Sequence, residues 1–452
     1  MKKCTLVENA IPNHIRVTKE RAQELNETAD ALIAETLHAY EGFVANGRQL
    51  PSDRWKHVKS RENMRVYRSR HSGKKQELYD QAPDDKAPRR PKLLSPRAME
   101  EHRRQAAADG KPDAFDDPLH DDDDDDDARY PIDSFSSGTD PPSFSLWEES
   151  TLAKVKPSHV PLIVAIGQIE GSLADVAFGC LAHTRDTWLV RDSYLPNSVV
   201  DARKILGTLQ TPSDADPFRA MTIKWGTVDY SVFMTRRDYI MLESQGMAFD
   251  SDGERVFYHL SHCIDLAECP TLDASHNVLR MRFSMCYISR QLNAETVEMF
   301  GRGFVDLRGG LIEHVGVLLV ASQITSAPWI VECATMKKMA YLMAWHRRRE
   351  TSSCDSTTTT TSSPCGVCSK AASKLGSLLA SPSGCALCRR IMCSKCSVQK
   401  KMTVHNEAQD LTQQSFVVCL ICVLQAKNLS AWKVARAART TTSCERTKLV
   451  GA

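Results

Sequence analysis

Four Cys-x-x-Cys pairs in one short segment constrain this 452-residue chain more than any other feature. The pairs are Cys365/Cys368, Cys385/Cys388, Cys393/Cys396 and Cys419/Cys422. A two-residue gap lets one tight turn supply two thiolates, and zinc takes four thiolates in tetrahedral geometry. The segment is therefore predicted to bind two zinc ions in closed sites. Such sites fold a short chain but leave no coordination position open for catalysis.

The remaining cysteines and the N-terminal sequence indicate the compartment. The chain has 16 cysteines, half of them in these pairs. The opening MKKCTLVENAIPNH has no apolar stretch of signal-peptide length, and the longest apolar run, near Val315 to Ala321, is too short to cross a bilayer. We expect a cytoplasmic protein without a membrane span, in which thiols bind metal rather than form disulfides.

Charge is balanced overall but unevenly distributed. The formal net charge of +2 indicates no particular partner, and we expect no nucleic-acid partner. From Arg347 to the C-terminus there are sixteen Lys and Arg against five Asp and Glu, whereas 113–133 is acidic and includes the run Asp121 to Asp127. That run either folds back on the basic tail and screens it, or serves as a solubilising linker.

The first half of the chain predicts a helix, a strand and then a break in order. Apolar residues recur at three- and four-residue steps from Thr18 to Tyr40, with Thr18 as N-cap. Trp55 to Arg70 suits one strand. Residues 71–156 are polar and rich in Pro and Asp, which predicts a disordered insertion. Val160 to Glu170 suits a strand, and Ser172 with Asp175 has capping-box spacing before a helix.

The second half predicts further strands and a final helix, giving an α+β fold class. Strands are expected at Val256 to Ile264, Val278 to Gln291 and Thr296 to Asp306. In the second of these an apolar face should oppose a solvent-facing one formed by Arg280, Arg282, Ser284 and Cys286. Helical periodicity runs from Leu311 to Arg349, and Pro328 should divide it into two pieces or kink it.

The order of five segments, over roughly residues 17–348, resembles the START-like domains that precede FYVE fingers in oomycete proteins. The segments are WKHVKSRENMRVYRSR, RDYIMLESQGMAF, RVFYHLSHCIDLAECP, TVEMFGRGFVDLRGG and WIVECATMKKMAYLM. The resemblance implies a helix-grip fold, in which an antiparallel sheet wraps the long C-terminal helix. It also implies a tunnel for one lipid or sterol molecule. Met281, Phe283, Met285 and Tyr287 are the candidate lipid contacts, although the same face could instead pack as solid core.

The cysteine segment resembles a FYVE finger in all eight ligand positions. Four residues separate Cys388 from Cys393 in CALCRRIMCSKCS, and VVCLIC follows. RING and PHD fingers fit less well, because the first keep a shorter gap here and both use a histidine ligand. The resemblance implies cross-braced sites, with Cys365, Cys368, Cys393 and Cys396 on one zinc and Cys385, Cys388, Cys419 and Cys422 on the other. We place the finger at 365–425, a Ser/Thr-rich linker at 350–364 and a basic tail at 426–452.

The finger departs from the family at its phosphoinositide signature. Where FYVE domains carry a run of basic residues and histidines, this chain has Ser381-Pro382-Ser383-Gly384-Cys385-Ala386. The cations that remain as candidate contacts for anionic lipid are Arg389, Arg390, Lys400 and Lys401. Trp432 to Arg439 could form a basic amphipathic helix, or a short terminal helix with no partner.

The combined features predict a non-catalytic lipid-binding or lipid-transfer adaptor. Its finger would attach it to a protein partner or peripherally to an anionic membrane, endosomal or other. One alternative is an interaction scaffold without a lipid, and another is a RING-like ubiquitin ligase. We expect no catalytic residues: His259, His262 and Asp265 share one strand, but the two histidines should point to opposite faces.

Overall fold

The computed structural model describes residues 7–70, 150–196, 198–230, 234–310, 313–352, 364–370, 384–405 and 410–440. Most of the expected insertion at 71–156, including the Asp121 to Asp127 run, lies outside these ranges, as does most of the linker at 350–364. The end of the expected insertion is corrected, because residues 150–156 are part of the packed fold. The Ser150 hydroxyl caps helix α2 (Thr151–Val155) and donates to Glu35, and Leu152 is buried.

The N-terminal segment forms a long helix and a hairpin. Helix α1 spans Lys19–Ala45, and its N-cap is Thr18, as predicted, with the Thr18 hydroxyl accepting from the Arg21 N–H. The single strand expected at Trp55 to Arg70 is instead a hairpin of β1 (Trp55–Arg61) and β2 (Met64–Ser69). The chain turns at Glu62, whose φ of 51° is left-handed. The domain boundary at residue 17 is also too late, since Ile11 and Ile15 are buried.

The central part of the chain supplies most of the sheet. In chain order the elements are β3 (Ile163–Glu170), α3 (Leu173–Cys180), α4 (Arg185–Ser193), β4 (Val200–Gln210), β5 (Ala220–Val228), β6 (Arg237–Phe249), β7 (Arg255–Cys263), α5 (Asp273–His276), β8 (Leu279–Arg280), β9 (Arg282–Asn293) and β10 (Thr296–Asp306). The strand order is β1-β2-β3-β10-β9-β7-β6-β5-β4, with antiparallel neighbours throughout, and β8 pairs in parallel with β6. Ser172 caps α3 through the Asp175 N–H, as predicted.

Two helices end this domain. Helix α6 (Glu313–Ile324) and helix α7 (Trp329–Ser352) are separated by a short break that contains Pro328, in agreement with the predicted division. By length and composition alone the stretch Val315–Arg348 could also cross a membrane, but half of its most apolar window is buried inside the protein. The antiparallel sheet and long C-terminal helix of the expected layout are both present.

Both faces of the sheet are covered. Helix α1 packs on one face, against residues such as Leu260, Ile288 and Phe300. The opposite face, here called the inner face, lies under α3, α6 and α7. The solvent-facing side predicted for 278–291 was therefore wrong. Arg282 is exposed as expected, but Arg280, Ser284 and Cys286 are buried.

The C-terminal segment is built on the cysteine turns. A 3₁₀ turn (Ser394–Cys396) leads into a hairpin of β11 (Ser397–His405) and β12 (Leu411–Cys419), followed by α8 (Leu420–Asn428) and α9 (Ala431–Thr440). The hairpin register runs from Ser397 opposite Cys419 to His405 opposite Leu411. Cys419 is the N-cap of α8, so the last cysteine pair begins a helix.

Candidate functional site

The eight paired cysteines meet in two groups of four. One group holds Cys365, Cys368, Cys393 and Cys396, and the other holds Cys385, Cys388, Cys419 and Cys422. Within each group the sulfur atoms lie within 4.8 Å of one another. These are the same two sets that the cross-braced arrangement implies.

The geometry of both groups fits a tetrahedral zinc ion. Thiolates about 2.3 Å from zinc form a tetrahedron with edges of about 3.8 Å. The Sγ–Sγ distance is 3.8 Å for Cys368–Cys393 in the first group, and for Cys385–Cys422 and Cys388–Cys419 in the second. All four positions would be filled by sulfur, so a metal held here would be structural.

Backbone amides prepare the sulfur atoms for a metal. The N–H groups of Cys393 and Cys419 donate to the Sγ atoms of Cys365 and Cys385, at 3.4 and 3.3 Å. Hydrogen bonds from the amides of Cys368 and Cys393 lower the pKa of the Cys365 thiol to about 6. A thiolate is the form that binds zinc, so these amides favour the required charge state at Cys365.

The sheet of β1 to β10 and helices α1 to α7 are here called the grip domain. The finger shares a hydrophobic core with α7, the last helix of this domain. Met336, Met339, Leu342 and Met343 of α7 pack in one cluster with the paired cysteines and with the finger side chains Leu387, Met392 and Val418. The buried Lys338 connects three elements: its ammonium lies 2.8 Å from the Asp175 carboxylate on α3 and donates to the carbonyls of Lys427 and Leu429 at the C-terminal end of α8. The finger is thus fixed against the grip domain rather than joined only by a linker.

The four candidate cations for anionic lipid lie in different environments. Lys400 forms an ion pair with Glu332 of α7 at 2.8 Å, which directs it toward the grip domain. Lys401, Arg389 and Arg390 are exposed. Only these three of the set present their charge to solvent.

Helix α9, for which the sequence allowed either a basic amphipathic helix or a terminal helix with no partner, packs against the rest of the protein. Its apolar side, formed by Ala431, Trp432, Val434 and Ala435, is buried with residues of α3 and α7. The Trp432 ring meets Phe218 edge to face with centroids 4.8 Å apart. Because this side is covered, the helix does not offer a free amphipathic surface.

The candidate lipid contacts lie on the inner face, beneath the helices. Met281 and Met285 are buried, and Met285 packs with Val320, Ala321 and Ile324 of α6. Phe283 and Tyr287 keep partial exposure. Tyr287 packs against clusters that include Ile324 of α6 and Met299 of β10, and burial raises the pKa of its phenol above its usual range.

Gly301 makes room for the Tyr287 ring. The two residues are paired across β10 and β9, and a Cβ at Gly301 would lie 2.5 Å from the ring carbons. Any side chain at position 301 would therefore displace Tyr287. The glycine fixes where the tyrosine can sit on the inner face.

A buried network of charges borders this region. Glu243 on β6 accepts from Arg191 of α4 at 3.1 Å and from the fully buried Lys224 of β5, while Asp192 accepts from Arg203. Burial alone would raise the pKa of Glu243, but Arg191 and Lys224 hold it well below its usual range. The inner face of the sheet thus has apolar side chains beside a buried network of ion pairs.

His259 lies between Glu243 of the charge network and Tyr287 of the inner face. Its Nε2 atom lies 3.7 Å from Glu243, and its ring is stacked on Tyr287 with centroids 6.4 Å apart. His262 packs on the α1 side of the same strand, where burial lowers its pKa to about 4, and Asp265 is exposed. The three residues considered for a catalytic cluster are therefore not brought together.

Sequence reasoning missed the Glu243 network, although two of its residues stand out in the sequence. Lys224 and Glu243 interrupt the otherwise apolar runs MTIKWG and IMLESQG. A charged residue inside a buried strand needs a partner, which could have suggested that the two strands meet. Arg191 carries no such signal, because its position on α4 is settled by tertiary packing.

An open cleft of about 500 Å³ lies at the β4 edge of the sheet, beside Arg203 of the charge network. Residues that line it include Glu8, His183, Arg185, Arg203 and Lys204. The Lys204 ammonium already donates to the carbonyls of Glu8 and Ile11 and to the Asn13 side chain. Its hydrogen-bonding capacity is used within the protein, so the cleft has no free ammonium to offer a ligand.

Comparison with known proteins gives weak similarities. No protein-family model and no curated protein sequence matches the chain. The crystal structure of human STARD10 superposes with a TM-score of 0.33 and 9% identity, over 69% of this chain and 82% of that one. Human StAR-related lipid transfer protein 5 gives 0.34 and 11%, over 67% and 95%. A STAR-related lipid transfer protein from Xanthomonas axonopodis gives 0.32 and 10%, over 62% and 97%. Superpositions this weak do not assign the chain to a family.

Proposed function

We propose that the chain is a non-catalytic lipid-binding or lipid-transfer protein of the cytoplasm, with a START-like grip domain and a FYVE-related finger that carries two zinc ions. One lipid or sterol molecule would lie between the inner face of the sheet and helices α6 and α7. The observation that carries the proposal is Tyr287, which packs beside Met285 and under Val320 and Ile324 of α6 and is still only partly buried. Met285 and Phe283 supply apolar contacts beside it, and His259 marks the polar end.

The chemistry of this interior suits an amphipathic ligand. An alkyl chain gains about 0.8 kcal/mol for each buried CH₂ group. A hydroxyl or headgroup at one end would lie beside Tyr287 and His259, which pack against each other. Catalysis is not part of the proposal, since the described inner face brings no nucleophile beside a general base.

Native mass spectrometry of the zinc-loaded protein tests the lipid proposal. We expect one bound lipid per chain, identified after organic extraction. Phe283→Trp should reduce the bound fraction, because the larger ring fills the ligand space. Leu292→Trp, on the exposed end of the same strand, should leave the bound fraction unchanged. Absence of a stoichiometric lipid across sterols, phospholipids and fatty acids would favour the scaffold alternative instead.

The finger is proposed to attach the protein to a membrane or to a protein partner. Its closed sites suit a structural role, and its exposed cations Arg389, Arg390 and Lys401 suit an anionic surface. Zinc-dependent autoubiquitination of the purified chain would contradict the non-enzymatic assignment.

A further inference from the structure

An apolar surface is exposed on the finger, away from the proposed lipid site. Of the nine most exposed large apolar side chains in the described residues, four fall between Val417 and Leu424. They are Val417, Leu420, Ile421 and Leu424, with exposed fractions of 38, 46, 41 and 59%. We call this set the α8 face.

Helix geometry explains why these side chains form one surface. Leu420, Ile421 and Leu424 occupy positions i, i+1 and i+4, which lie on the same side of a helix. Cys422 and Ala426, on the opposite side, are buried against the metal site and α7. The helix therefore has apolar residues on both sides, and the finger's own core uses only one of them.

The charge around the α8 face selects its partner. Between Pro364 and Thr440 the sequence has eleven Lys and Arg and only two acidic residues, Glu407 and Asp410. Both acids precede β12, and at about 3.3 Å per strand residue Asp410 lies roughly 30 Å from Leu420. Asp410, the acidic residue of the finger that the structure describes, is therefore far from the apolar side chains.

Cations flank the face on two sides. Cys388 and Cys419 share a metal site, with their sulfur atoms 3.8 Å apart. Arg389 follows the first of these cysteines and Leu420 follows the second, so the exposed pair Arg389 and Arg390 lies near the start of α8. The exposed Lys427 is seven residues beyond Leu420, on the same side of the helix.

We propose that the α8 face is the surface by which the chain binds an anionic phospholipid bilayer, with Leu420, Ile421 and Leu424 entering the interface and the flanking cations contacting headgroups. This inference deepens the membrane attachment proposed for the finger, and it rests on that proposal. An exposed apolar helix face surrounded by positive charge is the arrangement that combines burial of apolar area with attraction to anionic lipid. The signature region at 381–386 has no part in it.

Vesicle flotation of the full zinc-loaded chain tests this surface. Binding should require phosphatidylserine in phosphatidylcholine vesicles and should weaken as salt is raised. The double variant Ile421→Ser/Leu424→Ser should lower the partition roughly tenfold to a hundredfold, since two apolar side chains no longer enter the interface. Leu292→Ser, which removes an exposed leucine from the grip domain, is the matched control and should bind as the unaltered chain does.

The charge contribution has its own pair of variants. Arg389→Gln/Arg390→Gln should lose most of the preference for anionic vesicles, whereas Arg282→Gln, an exposed arginine on β9, should keep it. Equal binding to neutral and anionic vesicles would overturn the electrostatic part of the proposal. Unchanged binding by the Ile421→Ser/Leu424→Ser protein would overturn the proposal as a whole.

Two further measurements separate the remaining outcomes. Hydrogen exchange of the unaltered chain should slow in α8, but not in β1 and β2, when anionic vesicles are added, and this readout needs no folded variant. A dimer in sedimentation that Ile421→Ser/Leu424→Ser dissociates would overturn the proposal and replace the bilayer with a second copy of the chain. Vesicle binding without an internal lipid would contradict only the lipid proposal, and an internal lipid without vesicle binding would contradict only this one.

Discussion

At the scale of single residues, Glu243 holds two buried cations. It accepts from Arg191 and Lys224, both almost inaccessible to water. Glu243→Gln should destabilise the protein by about 3–5 kcal/mol, because removal of one partner leaves buried charge without compensation. Urea unfolding would measure the loss. Asp265→Asn provides the control: it breaks the exposed pair with Arg282 and should change stability by no more than about 1 kcal/mol. A similar small effect at both sites would contradict the role assigned to the network.

The finger lacks the phosphoinositide signature of FYVE domains. With Ser381 to Ala386 in place of the basic run, the finger lacks the convergent donors that would distinguish a phosphate monoester. Flotation should therefore show no preference for phosphatidylinositol 3-phosphate over phosphatidylserine at equal surface charge. A strong preference would mean that other residues of the finger recognise the phosphate.

The two kinds of residue also differ in how far the sequence could predict them. The eight cysteines are local pairs, and their spacing follows from the turn that each pair must form. The Glu243 network joins α4, β5 and β6, and its members carry no common spacing. Its assembly is decided by strand pairing and helix packing, which single-residue patterns do not encode.

At the scale of elements, α3 and α7 approach each other closely at Gly179. A Cβ there would lie 2.1 Å from the Ile330 carbonyl oxygen, so the backbone would have to move. Gly179→Ala should destabilise the protein by about 1–3 kcal/mol, measured by thermal or urea unfolding. Gly42→Ala in α1 is the matched control. Nothing lies within 4 Å of its Cβ, and the change should be neutral or stabilising by up to about 1 kcal/mol. Equal effects would contradict the close approach.

Elements were predicted best where one periodicity dominates. The N-cap Thr18, the cap Ser172 and the break near Pro328 are all present, because each rests on local backbone chemistry. The solvent-facing side of β9 was wrong, because alternation shows that two faces differ but not what covers each of them. Ser284 and Cys286 are small enough to lie under α1, so polarity alone misjudged their burial.

At the scale of the whole molecule, the finger and the grip domain share one core. Met336, Met339, Leu342 and Met343 pack among the paired cysteines, and Lys338 connects α7 to the end of α8. Removal of zinc by a chelator should therefore lower the melting temperature of the grip domain as well as unfold the finger. The expected fall is about 2–4 °C for each kcal/mol lost.

Tryptophan fluorescence of a Trp432→Phe chain, which lacks the tryptophan of α9, would follow the grip domain in that experiment. Trp188 and Trp225 are buried within it and belong to hydrophobic clusters that contain no cysteine of the finger. Added zinc should restore the original transition. A tryptophan transition that does not respond to zinc would show that the two modules are energetically independent.

The shared core also sets an order of events during synthesis. The ribosome completes α7 before it has made Cys385 to Cys422, so the methionine side of that helix is exposed while the finger is still being translated. The nascent grip domain therefore exposes this apolar surface to solvent until the last cysteine pair has emerged and metal is available. Zinc supply during translation should thus govern how much of the newly made chain escapes aggregation.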